Sequence, residues 1–112
     1  METVVLRAGP PSFAWLVVIN GPWAGRLFRL DPKGTVLGRD ARSDIILDDD
    51  AVSNLHAKVR QEGEEDNRPT FYIQDLASTN GTLVNGETIT KCPLKDGDRI
   101  VIGQTTLVFK QV

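Results

Sequence analysis

Three short segments carry side chains suited to holding an anion without changing it. Gly38-Arg39 is followed five residues later by Asp44-Ile45. Ser53-Asn54-Leu55-His56-Ala57 comes next, and then Asp75-Leu76-Ala77-Ser78-Thr79-Asn80-Gly81-Thr82, continued by Val84-Asn85-Gly86. Arg39 brings a guanidinium that stays charged and offers a planar fork to two oxygens at once. Ser53 and Thr79 add short neutral donors from two different segments. Asn54 and Asn80 each combine donors with an acceptor, the set that holds a peptide main chain in register. A phosphorylated side chain, with about −1.5 to −2 charges and three acceptor oxygens, calls for one fixed cation and several hydroxyl or amide donors. Backbone N–H groups ahead of Ala57 are available to complete such a cradle.

Each segment alone has a plainer explanation. An arginine after a turn is commonplace, Ser53-Asn54 suits a loop cap, and Ser78–Thr82 is rich in turn formers. Ser53 beside His56 also invites comparison with a nucleophile and its base, but no third, orienting group or oxyanion arrangement accompanies them. One cysteine, Cys92, and one histidine, His56, leave no intramolecular disulfide and no multi-cysteine metal site, so neither metal nor cofactor is expected. They also point to a reducing compartment, and the cytoplasm is the default expectation.

Bulk charge narrows the partners. The formal net charge is −2 and the pI about 5.3, so no overall positive field draws the chain to nucleic acid or an anionic membrane. Any anion must be held locally. No run approaches the roughly eighteen apolar residues of a membrane span, and the stretch Ala14–Ile19 is too short. The 112 residues, 40% hydrophobic and 25% charged, fit one globular domain with a core of its own.

The elements that must position these residues are short strands. Ala57–Arg60 alternates apolar and basic residues, and Phe71/Ile73, Ile100/Ile102 and Leu107/Phe109 repeat the period of two. Ala14–Ile19, Gly25–Leu30, Thr35–Leu37 and Ile45–Leu47 are further strand-length stretches, the last ending in Asp48-Asp49-Asp50. Asn80-Gly81, Asn85-Gly86 and Asp96-Gly97 mark tight turns, and Gly63–Pro69 reads as a polar hairpin tip. No window sustains a helical pattern. Met1–Ser12 reads as a flexible lead-in and 13–112 as the domain. The expected core contains Trp15, Phe28, Ile45, Val59, Phe71, Ile73, Ile100, Ile102 and Phe109. About ten strands joined by turns predict an antiparallel β-sandwich.

In this order and spacing, the three segments resemble the forkhead-associated (FHA) domain, whose signature runs GR, S-x-x-H, then D-L-x-S-T-N-G-T-x-V-N-G. The likeness extends from about Trp15 to Phe109 and includes Leu94–Ile100 and Ile102-Gly103. It implies a sandwich of about eleven strands with its two ends close together. It also implies a phosphothreonine peptide laid across loops Arg39–Ser43, Asp48–Leu55 and Leu76–Thr82. Arg39, Ser53 and Thr79 would contact phosphate, Asn80 and less directly Asn54 the peptide backbone. Gly38, His56, Gly81, Asn85 and Gly86 would be structural support, with His56 bracing the loops and Asp75 and Asn85 tying loop backbones.

The resemblance implies phosphothreonine-containing partners, substrates of a Ser/Thr kinase, and no catalysis. The alternative on the same fold is a phosphate-independent scaffold or oligomerisation domain. Some members use an arginine two residues before the motif serine to select an acidic target residue; that position is Ala51 here. Arg42 is the other cation in the binding loops, and pairing with Asp40 or Asp44 competes with any reading role. Thr3, which follows an acid in the tail, raises self-association through a phosphorylated tail, as in some bacterial members.

Overall fold

The computed structural model describes residues 13–112. Eleven strands form among them: β1 (Ala14–Val18), β2 (Leu27–Arg29), β3 (Thr35–Gly38), β4 (Ile45–Ile46), β5 (Ala57–Glu65), β6 (Arg68–Asp75), β7 (Thr82–Val84), β8 (Glu87–Ile89), β9 (Lys91–Leu94), β10 (Arg99–Ile102) and β11 (Thr105–Gln111). They build a six-stranded sheet, β2-β1-β11-β10-β7-β8, and a five-stranded sheet, β4-β3-β5-β6-β9. The fold is the β-sandwich expected, with one difference: β3 and β4 pair in parallel, Leu37 opposite Ile45. Loop 39–44 carries the chain back to the start of β3, so the two strands run the same way.

Alternation along each strand decides what is buried. Ala14, Leu16 and Val18 of β1 face inward, as do Ile100 and Ile102 of β10 and Leu107 and Phe109 of β11. Phe71 of β6 meets Phe109 across the sheets, their ring centroids 5.9 Å apart. Trp15 is the exception among the expected core residues. Period two places it on the outer face of β1, half-buried between Arg29 and Lys110 on the flanking strands and tilted against Phe13. Phe28 is half-buried and packs on the core from the sheet edge.

The hairpin of β5 and β6 turns at Asp66-Asn67, both with positive φ, so most of the expected tip Gly63–Pro69 is paired strand. Asn85 (φ 51°) and Gly86 (φ 85°) make the β7–β8 turn, the conformation that favours Asn-Gly in two-residue hairpins. Val112 N–H donates to the Phe13 carbonyl, so the described ends lie side by side. Among the described residues no helix is long and apolar enough to cross a membrane.

Candidate binding site

Three loops meet at one end of the sandwich: 39–44 after β3, 47–56 before β5, and 76–81 after β6. Gly38 sets how closely the first two approach. A Cβ there would sit 2.2 Å from the Asn54 carbonyl oxygen and 2.6 Å from Ser43 Oγ. Only a residue without a side chain fits. Ser43 Oγ donates to the same Asn54 carbonyl, as does Asp40 N–H.

The sequence-predicted phosphate contacts come together here. Arg39 N–H donates to the Ser53 carbonyl at 3.0 Å, and Thr79 N–H donates to Ser53 Oγ at 3.0 Å. Two hydrogen bonds therefore tie all three residues into one cluster across three loops. The Arg39 side chain is 45% exposed, and its guanidinium lies 4.0 Å from Asp50, whose carboxylate is fully exposed. A pair that long and that wet holds the guanidinium only loosely.

His56 lies beneath, fully buried. Its Nδ1 accepts from Ser53 N–H at 3.0 Å and its Nε2 donates to the Gly81 carbonyl at 2.8 Å. One nitrogen accepting and one donating describes the neutral Nε2–H tautomer. The His56 backbone bonds Leu37 and Leu76. A single residue thus fastens loops 47–56 and 76–81 to β3. Both ring nitrogens face backbone groups, so neither serves the Ser53 hydroxyl as a base. Burial first, then the Asp98 carboxylate, push the Cys92 thiol up and keep it in the protonated form.

Asp75 organises the loop that carries Thr79. It accepts from Ser78 N–H, from Ser78 Oγ at 2.5 Å and from Thr82 Oγ1 at 2.7 Å. Burial alone would raise its carboxyl, but these donors together hold it below the ordinary aspartate value. Gly81, at φ 85°, donates its N–H to Ser78 Oγ. Asn85 works further off, bridging Asp98 and the Arg99 backbone.

Asn80 donates from Nδ2 to the Ala51 carbonyl at 3.0 Å, joining loop 76–81 to loop 47–56, while its Oδ1 has no partner among the described residues. The Asn54 side chain stands exposed at its loop tip. Arg42 is taken up by Asp40, which it grips through Nε (3.1 Å) and a second nitrogen (3.0 Å). That pair lowers the Asp40 carboxyl and raises the Arg42 guanidinium.

Sequence reasoning missed Asp49. The acidic run reads as a strand terminator, yet Asp49 accepts from Ala51 N–H, Gln104 N–H and Thr105 Oγ1 at 2.8–2.9 Å. Burial opposes its charge, and the three donors overcome it, leaving the carboxyl below its usual range. The one local signal is the Asp-x-Ala spacing, which permits a side-chain-to-backbone bond two residues on. Nothing local marks Gln104 and Thr105 as partners. Among the described residues, no three His, Cys, Asp or Glu converge to hold a metal.

Residues 35–103, more than half the chain, match the FHA domain family. The chain belongs to that family. Curated relatives of this FHA domain include the glycogen accumulation regulator GarA of Mycobacterium tuberculosis, 46% identical over 89% of this chain and 59% of its own length. The oxoglutarate dehydrogenase inhibitor of Corynebacterium glutamicum is also 46% identical, over 89% of this chain and 66% of its own. The chain spans about three-fifths to two-thirds of these relatives. Among solved structures, the FHA fold is shared with Mycobacterium tuberculosis EmbR bound to a low-affinity phosphopeptide (TM-score 0.78, 33% identity, covering 94% of this chain and 26% of that one). It is shared too with the FhaA FHA domain in complex with an intracellular domain (TM-score 0.76, 30% identity, covering 87% and 99%).

Proposed function

We propose that this FHA domain binds phosphothreonine peptides through Arg39, Ser53 and Thr79 and acts as a reader, not an enzyme. The observation that carries this is the clustering of one exposed guanidinium and two hydroxyl residues by direct hydrogen bonds across three loops. Among the described residues the one carboxylate paired with the Arg39 guanidinium is Asp50, and that contact is long and solvated. An incoming phosphate replaces that contact with charge-assisted hydrogen bonds worth about 1.5–3 kcal/mol each. Asn80, with its Oδ1 unpaired among the described residues, and Asn54, exposed at the loop tip, hold the peptide backbone on either side.

Partners in this reading are proteins phosphorylated on threonine by a Ser/Thr kinase, met in the reducing cytoplasm. The phosphopeptide complexes among its structural neighbours and the regulator and inhibitor names of its relatives support that class. Self-association through phosphorylated Thr3 belongs to the same proposal, and Thr3 lies outside the described residues. The test is an oriented phosphothreonine peptide library, run beside matched phosphoserine and unphosphorylated libraries. Selective retention of the phosphothreonine set supports the proposal. Equal retention of all three would favour a phosphate-independent scaffold.

A further inference from the structure

An antiparallel strand with water on one side alternates apolar and polar residues, whereas a strand covered on both sides is apolar throughout. Four strands of the six-stranded sheet are of the second kind. Ala14–Val18, Leu83-Val84, Ile100-Val101-Ile102 and Leu107-Val108-Phe109 are unbroken apolar runs. Leu16, Ile100, Ile102, Leu107 and Phe109 point into the sandwich. The residues between them point outward, where no further layer lies among the described residues. The register joins these into one strip. Leu27, Val17 and Val108 stand opposite one another across β2, β1 and β11. Val101 and Leu83, opposite each other on β10 and β7, continue it on the diagonal from Val108. Trp15 borders it, two residues before Val17. Leu27 is 59% exposed and the others are half-buried. The five-stranded sheet has the ordinary arrangement: Lys58, Arg60, Gln74 and Lys91 line its outer face.

Size and chain path together decide what covers the strip. From β2 to β7 it crosses five strands, about 19 Å at the usual spacing, and along the strands it runs about 13 Å. An area on the order of 250 Å² falls well short of the ~800 Å² per partner that a stable protein pair buries, so a short segment suits it better than a second copy. Phe13, the first described residue, lies against Trp15 with ring centroids 6.1 Å apart, and Arg29 stands over the Phe13 ring at 4.2 Å. Residues 1–12 therefore join the domain at the border of the strip. They lie outside the described residues, and their sequence holds the apolar run Val4-Val5-Leu6. Leu6 comes seven positions before Phe13, a reach of up to about 25 Å. Gly9-Pro10-Pro11 between them favours the turn that folding back requires.

We propose that Val4-Val5-Leu6 folds back onto this outer face and supplies its missing cover, with no phosphate involved. The contact is apolar and lies off the cradle loops, so it stands apart from phosphopeptide binding and from any docking of phosphorylated Thr3. The two β-branched valines match a pleated surface. Removing three aliphatic side chains from water against Trp15, Val17, Val101 and Val108 offsets the entropy lost in ordering a short segment.

Methyl-resolved NMR of the full, unphosphorylated chain tests this, comparing wild type with V4S/V5S/L6S and with V101T/V108T. Threonine keeps the branched shape of valine in a strand, so the second variant probes the face while retaining the sheet. The expected result is a set of nuclear Overhauser contacts from the Val4, Val5 and Leu6 methyls to the Trp15 indole and the Val101 and Val108 methyls. Those contacts are lost in V4S/V5S/L6S, with shift changes confined to the outer-face methyls and the cradle amides unmoved. V101T/V108T likewise frees Val4, Val5 and Leu6. Outer-face shifts that stay unchanged in a folded V4S/V5S/L6S variant overturn the proposal. Contacts from Val4-Val5-Leu6 to a different surface overturn it too. Contacts that vanish on tenfold dilution would hand the face to a second copy and overturn it equally.

Discussion

In the proposed cradle Arg39 is an exposed cation whose partner, Asp50, lies 4.0 Å away and in solvent. Removing the guanidinium should cost binding without costing the fold, because the Arg39 contact to Ser53 runs through its backbone N–H. Arg39→Ala is expected to weaken a phosphothreonine peptide by about tenfold to a hundredfold, the loss of one charge-assisted contact. Arg39→Lys should recover part of this, since lysine keeps the charge and loses the fork. Calorimetric titration beside a thermal melt checks both, and a matching fall in Tm would assign Arg39 a structural role instead. Gly38 behaves in the opposite way. The methyl of Gly38→Ala would collide with the Asn54 carbonyl, so both stability and binding should fall, visible as a lower Tm and a weaker titration.

Loops are the elements that matter here, and two half-buried carboxylate networks hold them. Asp49 fixes loop 47–56 to the turn entering β11, and Asp75 fixes loop 76–81. Both carboxyls lie below their ordinary value in the folded chain. A depressed folded pKa means stability that is present above the unfolded value of about 3.9 and lost as pH falls through the folded one. Urea denaturation from pH 7 downward should therefore show stability declining steeply below about pH 4. Asp49→Asn should flatten that decline, and an unchanged acid limb would remove Asp49 from the explanation.

The same loops show what a sequence can and cannot display. Gly38, Arg39, Ser53, His56, Thr79 and Asn80 were legible because a short ordered motif names them, and the strands were legible by period two. Asp49 was not, because its partners Gln104 and Thr105 lie more than fifty residues away. Trp15 is apolar enough to suit the core, but with Leu16 inward the alternation of β1 turns Trp15 outward. The parallel β3–β4 pair was hidden as well, since β4 is two residues long and its direction follows from the loop, not from its own pattern. Arg42 remained open in sequence between Asp40, Asp44 and a target residue; its grip on Asp40 settles its partner in the unbound chain.

At the scale of the molecule, the sandwich is a rigid frame for a small anion site on an acidic chain. Phe71 and Phe109 join the two sheets at full burial, and Phe109→Ala should cost about 3–5 kcal/mol in chemical denaturation. That substitution lies among core residues remote in role from the loops, so whatever fraction stays folded should still discriminate phosphate. With a net charge of −2, no overall positive field draws in an anion, and the proposed function therefore rests on the local cradle. The most direct measurement is a paired titration of one threonine peptide, phosphorylated and dephosphorylated, into the wild-type chain. Saturable binding of the phosphorylated form alone, abolished or severely weakened in Arg39→Ala, is the predicted result. Equal binding of the two peptides, or undiminished binding by Arg39→Ala, would contradict it.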